Sequence, residues 1–173
     1  MSILKVNTIQ DKGGNAIISS DGSGTLTLGN DALKNTPNFS VKLSSGQSIN
    51  NTTQTKVTWD SELYDSDDAF ASNKFTVPSG KGGKYFYSYS VQVSGIDASE
   101  RAEAALRVNG TEVGLTFSRA YSEANIAAQP TASGVIELSD GDYVELWVWQ
   151  NAGSTETISE EYSWFQMYRL IGA

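Results

Sequence analysis

Cysteine and histidine are both absent from the 173 residues. Without cysteine there is no disulfide, no thiolate nucleophile and no zinc–sulfur site. Without histidine there is no imidazole metal ligand and no Ser-His-Asp triad. Charged residues make up 18% of the chain, below the usual figure of about a quarter. No run approaches the ~18 apolar residues of a membrane span, and the opening Met1–Asn7 lacks an apolar stretch of signal-peptide length. Secretory export and membrane insertion are therefore not expected, no cofactor or metal is implied, and the chain is not expected to be an enzyme.

The composition that remains is β-rich. Hydrophobic residues reach 39%, aromatics 10%, and there are 16 glycines. Polarity comes largely from Ser, Thr, Asn and Gln. The net charge of −8 disfavours nucleic acid and anionic membrane as partners. Its distribution is uneven: residues 1–58 carry five Lys and three Asp, and the rest carries seven Lys and Arg against seventeen acids. Such a split is expected where the two ends meet different surroundings.

Period-2 alternation recurs along most of the chain, and no window sustains a helical period. Three short strands open it, over Ile3–Ile9, Ala16–Ser20 and Thr25–Leu28, separated by the glycine-rich turns Asp11–Asn15 and Asp21–Gly24. Strands this short bury little, so the segment must pack on copies of itself or on a larger body. Residues 1–29 form an N-terminal β segment, 30–37 a linker and 38–173 the main domain. From Asn38 the strands are longer. Phe39, Val41 and Leu43 alternate with polar residues, and Lys84–Val93 puts Tyr85, Tyr87, Tyr89, Val91 and Val93 on one face. Further strands are predicted over Lys56–Trp59, Lys74–Val77, Ala104–Val108, Gly114–Ala120, Ala132–Leu138, Asp142–Gln150 and Tyr162–Ile171. Ser99–Ala105 reads equally well as a helical turn. Eight or more strands joined by turns such as Asn109-Gly110 favour a two-sheet sandwich.

Several clusters invite a chemical reading. Asp60, Glu62, Asp65, Asp67 and Asp68 form an acidic run that suits a calcium loop in ligand type but lacks EF-hand spacing, and a solvated loop explains it as well. Gly80-Lys81-Gly82-Gly83-Lys84 lacks the spacing and the Ser/Thr of a P-loop and reads as a turn. Trp147, Trp149 and Trp164 are candidates for stacking on sugar rings, against the alternatives of core or subunit interface. The many carboxylates leave glycoside hydrolysis open, with no motif to support it.

Asn38-Phe39-Ser40-Val41-Lys42-Leu43, Leu63-Tyr64-Asp65, Asn73–Pro78 and Gly83-Lys84-Tyr85-Phe86-Tyr87 together resemble the complement-type globular head of the tumour-necrosis-factor-like jelly-roll group. Leu106–Thr111 and Gly141–Val148 resemble two later strands of that head. The closing strand is similar only loosely, with Met167 where the family has glycine. Met1–Gly29 resembles the N-terminal segment of structural proteins of tailed phages.

These resemblances imply an all-β protein, a homotrimeric jelly-roll β-sandwich behind a short β anchor segment. They imply a phage virion structural protein, assembled in the bacterial host cytoplasm. It would be a short fibre or capsid decoration displaying the jelly roll, with a tail-fibre receptor-binding tip as the alternative. A glycan-binding lectin and a polysaccharide depolymerase are the remaining readings. Its partners would be itself, other capsid or tail proteins, and a host cell-surface glycan. Ile3, Leu4, Val6 and Ile9 would form the virion anchor. Phe165, Met167 and Arg169, on one face of the last strand, would line the trimer interface.

Overall fold

The computed structural model of the protein describes residues 6–28, 34–122 and 127–171. Its first three strands, β1 (Thr8–Gln10), β2 (Ala16–Ser20) and β3 (Leu26–Leu28), form an antiparallel sheet of their own. The register sets Ile9 opposite Ile18 and Ile18 opposite Leu28, one apolar row across three strands. None of these residues joins the buried core, and Ile9, Ile17 and Leu26 stay largely exposed. Ile3, Leu4 and residues 30–33 of the expected linker lie outside the described residues.

The main domain follows as β4 (Asn38–Lys42), β5 (Gln47–Ile49), β6 (Thr55–Lys56), β7 (Ser61–Asp65), β8 (Phe70–Ala71), β9 (Lys74–Thr76) and β10 (Gly83–Ser90). It continues with β11 (Val93–Ser94), β12 (Arg101–Val108), β13 (Thr111–Glu112), β14 (Ser118–Tyr121), β15 (Thr131–Leu138), β16 (Tyr143–Gln150), β17 (Glu156–Ile158) and β18 (Trp164–Arg169). One sheet runs β15-β10-β18-β4-β7. The facing sheet runs β13-β12-β16-β9-β8, with β14 added on β12 and β6 on β16. A small third sheet, β11-β17-β5, joins them. Consecutive strands repeatedly land in opposite sheets, the arrangement of a jelly roll.

The core lies between the two main sheets. Phe39 of β4 stacks on Phe75 of β9 with centroids 5.1 Å apart, and Phe75 meets Tyr85 of β10 at 5.6 Å. The alternating run from β10 to the start of β11 points inward as its period predicts: Tyr85, Tyr87, Tyr89, Val91 and Val93 are all buried. Burying such side chains contributes about 1.5–3 kcal/mol each, but a buried hydroxyl needs a partner. Tyr89 meets this need by reaching across the sandwich, where its hydroxyl donates to the carbonyl of Thr116 at 2.6 Å, with that of Ala104 also within reach at 3.0 Å. Tyr85 donates to the Lys81 carbonyl at 2.6 Å, and Tyr87 to that of Leu115 at 3.1 Å. Glycine is required beside Tyr87: a Cβ on Gly134 of the neighbouring β15 would meet the phenol oxygen at 2.9 Å.

Four local readings change. Gly114–Ala120 is not one strand, because Gly114–Thr116 forms a single 3-10 turn before β14. From Arg101 onward the ambiguous Ser99–Ala105 stretch is β12, paired to β16 and β14. The first half of the acidic run is not a loop but the edge strand β7. The face of β18 is the fourth. Phe165 pairs across to Val41 and Tyr89, and Met167 to Phe39 and Tyr87, so both share rows with core residues. At 0% and 1% exposure they are enclosed by their own chain and have no surface to offer a three-fold axis. Arg169, half-buried, donates from Nη2 to the Gly82 carbonyl at 3.0 Å.

Candidate functional site

Three surfaces collect the residues with chemical potential. The first is the solvent side of the five-stranded sheet, opposite the core. Because side chains alternate, enclosing Phe165 and Met167 turns Trp164, Gln166 and Tyr168 outward. Register places Val135, Phe86, Tyr168 and Asn38 in one row across β15, β10, β18 and β4. Phe86 stacks on Tyr168 with centroids 5.0 Å apart, and both remain partly exposed. The next row is Ser133, Ser88, Gln166, Ser40 and Tyr64, small and polar apart from its last member. Trp164 stands beyond it, lining a shallow depression with Ser88 and Ser133. An aromatic row bordered by small polar residues is a flat, partly apolar face suited to burial against protein.

The second surface is the outer side of the facing sheet, along β12 and β16. Here Tyr143, Trp147 and Trp149 point away from the core, and each ring carries a cation. Lys74 Nζ lies 4.6 Å from the Tyr143 centroid, the Arg107 guanidinium 4.1 Å from Trp147, and that of Arg101 5.0 Å from Trp149. Carboxylates knit the ladder together. Glu103 accepts from Arg101 and Arg119 at 2.7 Å each, and Glu145 accepts from Lys56 at 3.1 Å and from the Trp147 indole at 3.0 Å. A sugar stacking on Trp147 or Trp149 would first have to displace a cation worth about 0.5–1 kcal/mol on an exposed ring. These rings are neither core residues nor open platforms.

The third is the acidic run, which the structure disperses. Asp60 accepts from the Ser44 amide and hydroxyl, both at 2.6 Å, and this holds its carboxyl below the usual range. Asp65 accepts from the Phe70 amide at 2.7 Å, and Asp67 from the Ser66 hydroxyl at 2.5 Å. Among the described residues no three acidic side chains converge as a metal would require. Between the edge strands β7 and β8 lies a cleft of about 200 Å³, with Trp59 in its lining. Sequence reasoning missed this feature, because Trp59 and Asn73 meet only through tertiary pairing. The Gly80–Lys84 turn is a turn: Asp140 accepts from the Gly80 and Gly82 amides at 2.6 Å each, which depresses its carboxyl.

Val6 and Ile9, expected in an anchor, are each about half exposed at the N-terminal sheet. They line a small hollow there with Ile18 and Leu26.

Residues 38–169 match the family described as C1q domain. No curated protein matches the chain in sequence. Among solved structures, the globular domain of zebrafish complement 1qA protein superposes with a TM-score of 0.57 at 19% identity, covering 78% of this chain and 97% of its own. Murine APRIL at pH 5.0 gives a TM-score of 0.57 at 13% identity, covering 77% of this chain and 98% of its own. Identities this low speak for the fold alone.

Proposed function

The chain belongs to the C1q domain family, and from that premise we propose that it is a homotrimeric display module: the jelly roll is carried outward and the N-terminal sheet attaches it to a larger body. Domains of this family are typically trimeric, non-enzymatic binding modules. The observation that carries the proposal is the row Val135, Phe86 and Tyr168 on the solvent side of the five-stranded sheet. Val135 is 49% exposed, an unusual place for a β-branched residue beside a stacked aromatic pair unless a partner covers it. Three copies related by a three-fold axis cover such a face with one another.

The attachment half of the proposal rests on residues 1–29. Their resemblance to the N-terminal segment of tailed-phage structural proteins supports a virion protein, a short fibre or capsid decoration made in the bacterial cytoplasm. The apolar row of β1–β3, only partly covered, supports an anchor that finishes folding against something else. Mass spectrometry of purified phage particles tests this reading. The chain present in dozens to hundreds of trimers per particle marks a decoration of the capsid. A handful marks the tail, and absence from particles overturns the virion assignment.

A further inference from the structure

The N-terminal sheet has one apolar and one polar face. Its register puts Ile9, Ile18 and Leu28 together, and strand alternation adds Ala16 and Leu26 to the same face. The other face carries Thr8, Ser19 and Thr27, with Ile17 as its apolar member. Val6, Ile9, Ile18 and Leu26 line a hollow of about 120 Å³, and Leu26 is 68% exposed. Three strands of three to five residues bury too little to be stable by themselves. The apolar face therefore calls for an occupant.

Where the chain enters the jelly roll decides which occupant is at hand. Asn38 opens β4 opposite Tyr168, in the row of Val135, Phe86 and Tyr168 on which the trimer reading rests. Beside it, the Arg169 amide donates to the Pro37 carbonyl at 3.1 Å. In a trimer built on that row, each chain enters its jelly roll at the contact between copies. Residues 29–37, nine in all, reach at most about 32 Å. Three N-terminal sheets then share one small volume, at a local concentration of about a millimolar. Charge does not oppose their meeting. Residues 1–29 hold Lys5, Lys12, Asp11 and Asp21, a net of zero, and residues 30–173 carry the whole −8. None of the four charges lies on β1, β2 or β3. We propose that this sheet is completed by the same sheet of two further copies, with Ile9, Ile18 and Leu28 turned to the three-fold axis. The anchor is then a three-sided stem with an apolar centre, and its polar outer face and turns remain for the larger body.

This rests on the trimer reading and names what completes the anchor. The test is hydrogen–deuterium exchange of the purified full-length protein, free of particles, with sedimentation of the same samples. In the trimer, the amides of β2 that pair with β1 and β3 are expected to exchange slowly. Ile18→Asp should speed them at least about tenfold. Thr27→Asp, on the opposite face, should change them by about twofold at most. Dilution or Tyr168→Ala, which separate the jelly rolls, should release the same amides although neither alters the sheet itself. Amides that stay slow in separated chains belong to a sheet that folds alone, and overturn the proposal. Amides that are fast in a sedimenting trimer and slow only in particles assign the apolar face to the larger body, which overturns the proposal and keeps the trimer. A wild-type protein that sediments as one chain overturns the trimer and the stem together.

Discussion

Phe165 meets Phe39 edge-on inside a single chain, with ring centroids 5.0 Å apart and planes at 79°. Trp59 closes the same cluster, its ring 6.4 Å from that of Phe165. The last strand therefore contributes one face to its own sandwich and presents the other, Trp164, Gln166 and Tyr168, to whatever lies outside.

The first prediction separates these two faces. Phe165→Ala removes a fully buried ring and should cost about 3–5 kcal/mol of folding free energy, read as a lower denaturant midpoint. The loss should appear in the monomeric unit itself, whatever the state of assembly. Tyr168→Ala and Trp164→Ala should instead lower the association constant and leave the chemical denaturation of dissociated chains nearly unchanged. An assembly defect in Phe165→Ala with full folding stability would contradict the placement of that ring.

The phase of alternation in β18 was legible in the sequence, but which phase faces inward was not. The signal lay in the neighbours: Phe165 and Met167 pair with Val41, Phe39, Tyr87 and Tyr89, which the alternation of β4 and β10 already marked as inward. Strands with strong contrast, such as β10, could be read directly. Edge strand β7 could not, because Glu62, Leu63 and Tyr64 are all exposed and no apolar period survives there. In β12 the inward residues Ala102 and Ala104 are strong helix formers, and only pairing with β16 and β14 decides for strand. The cleft at Trp59 left no sequence signal, since its walls come from two sheets.

A second prediction concerns alkaline pH. Burial raises the pKa of Tyr85 and Tyr89 well above the phenol's ordinary value. A group whose folded pKa is raised contributes stability that is complete below its unfolded pKa, about 10, and is lost as pH climbs toward the folded value. The melting temperature should therefore fall steeply above about pH 10. Tyr89→Phe should flatten that fall. At neutral pH it should cost about 1–3 kcal/mol, because the buried Thr116 carbonyl loses a close donor.

At acid pH the sign reverses. Asp140 is held below the ordinary carboxylate pKa, first by the Gly80 amide and then by that of Gly82. Asp60 is held down by the Ser44 hydroxyl and amide. Depressed carboxylates contribute stability present above about pH 3.9 and lost as pH falls through their folded values. Thermal melts from pH 5 downward should show this loss, and Asp140→Asn should reduce it while lowering the midpoint at neutral pH. A wild-type and variant pair with parallel pH profiles would contradict the role of the Gly80–Gly82 turn.

Deleting residues 1–29 should leave the jelly roll folded, because no residue of β1–β3 belongs to its core. Circular dichroism should retain the β signature with a cooperative melt. The truncated chain should fail to join particles. Incorporation at the full-length copy number would show that attachment lies elsewhere.

The central claim is that the five-stranded sheet buries its aromatic row against two further copies of the chain. Sedimentation equilibrium of the full-length protein at micromolar concentration tests it most directly. The account predicts a single species of three times the chain mass of 18.6 kDa, shifted toward smaller species by Tyr168→Ala. A wild-type protein that sediments as one chain of 18.6 kDa would contradict it.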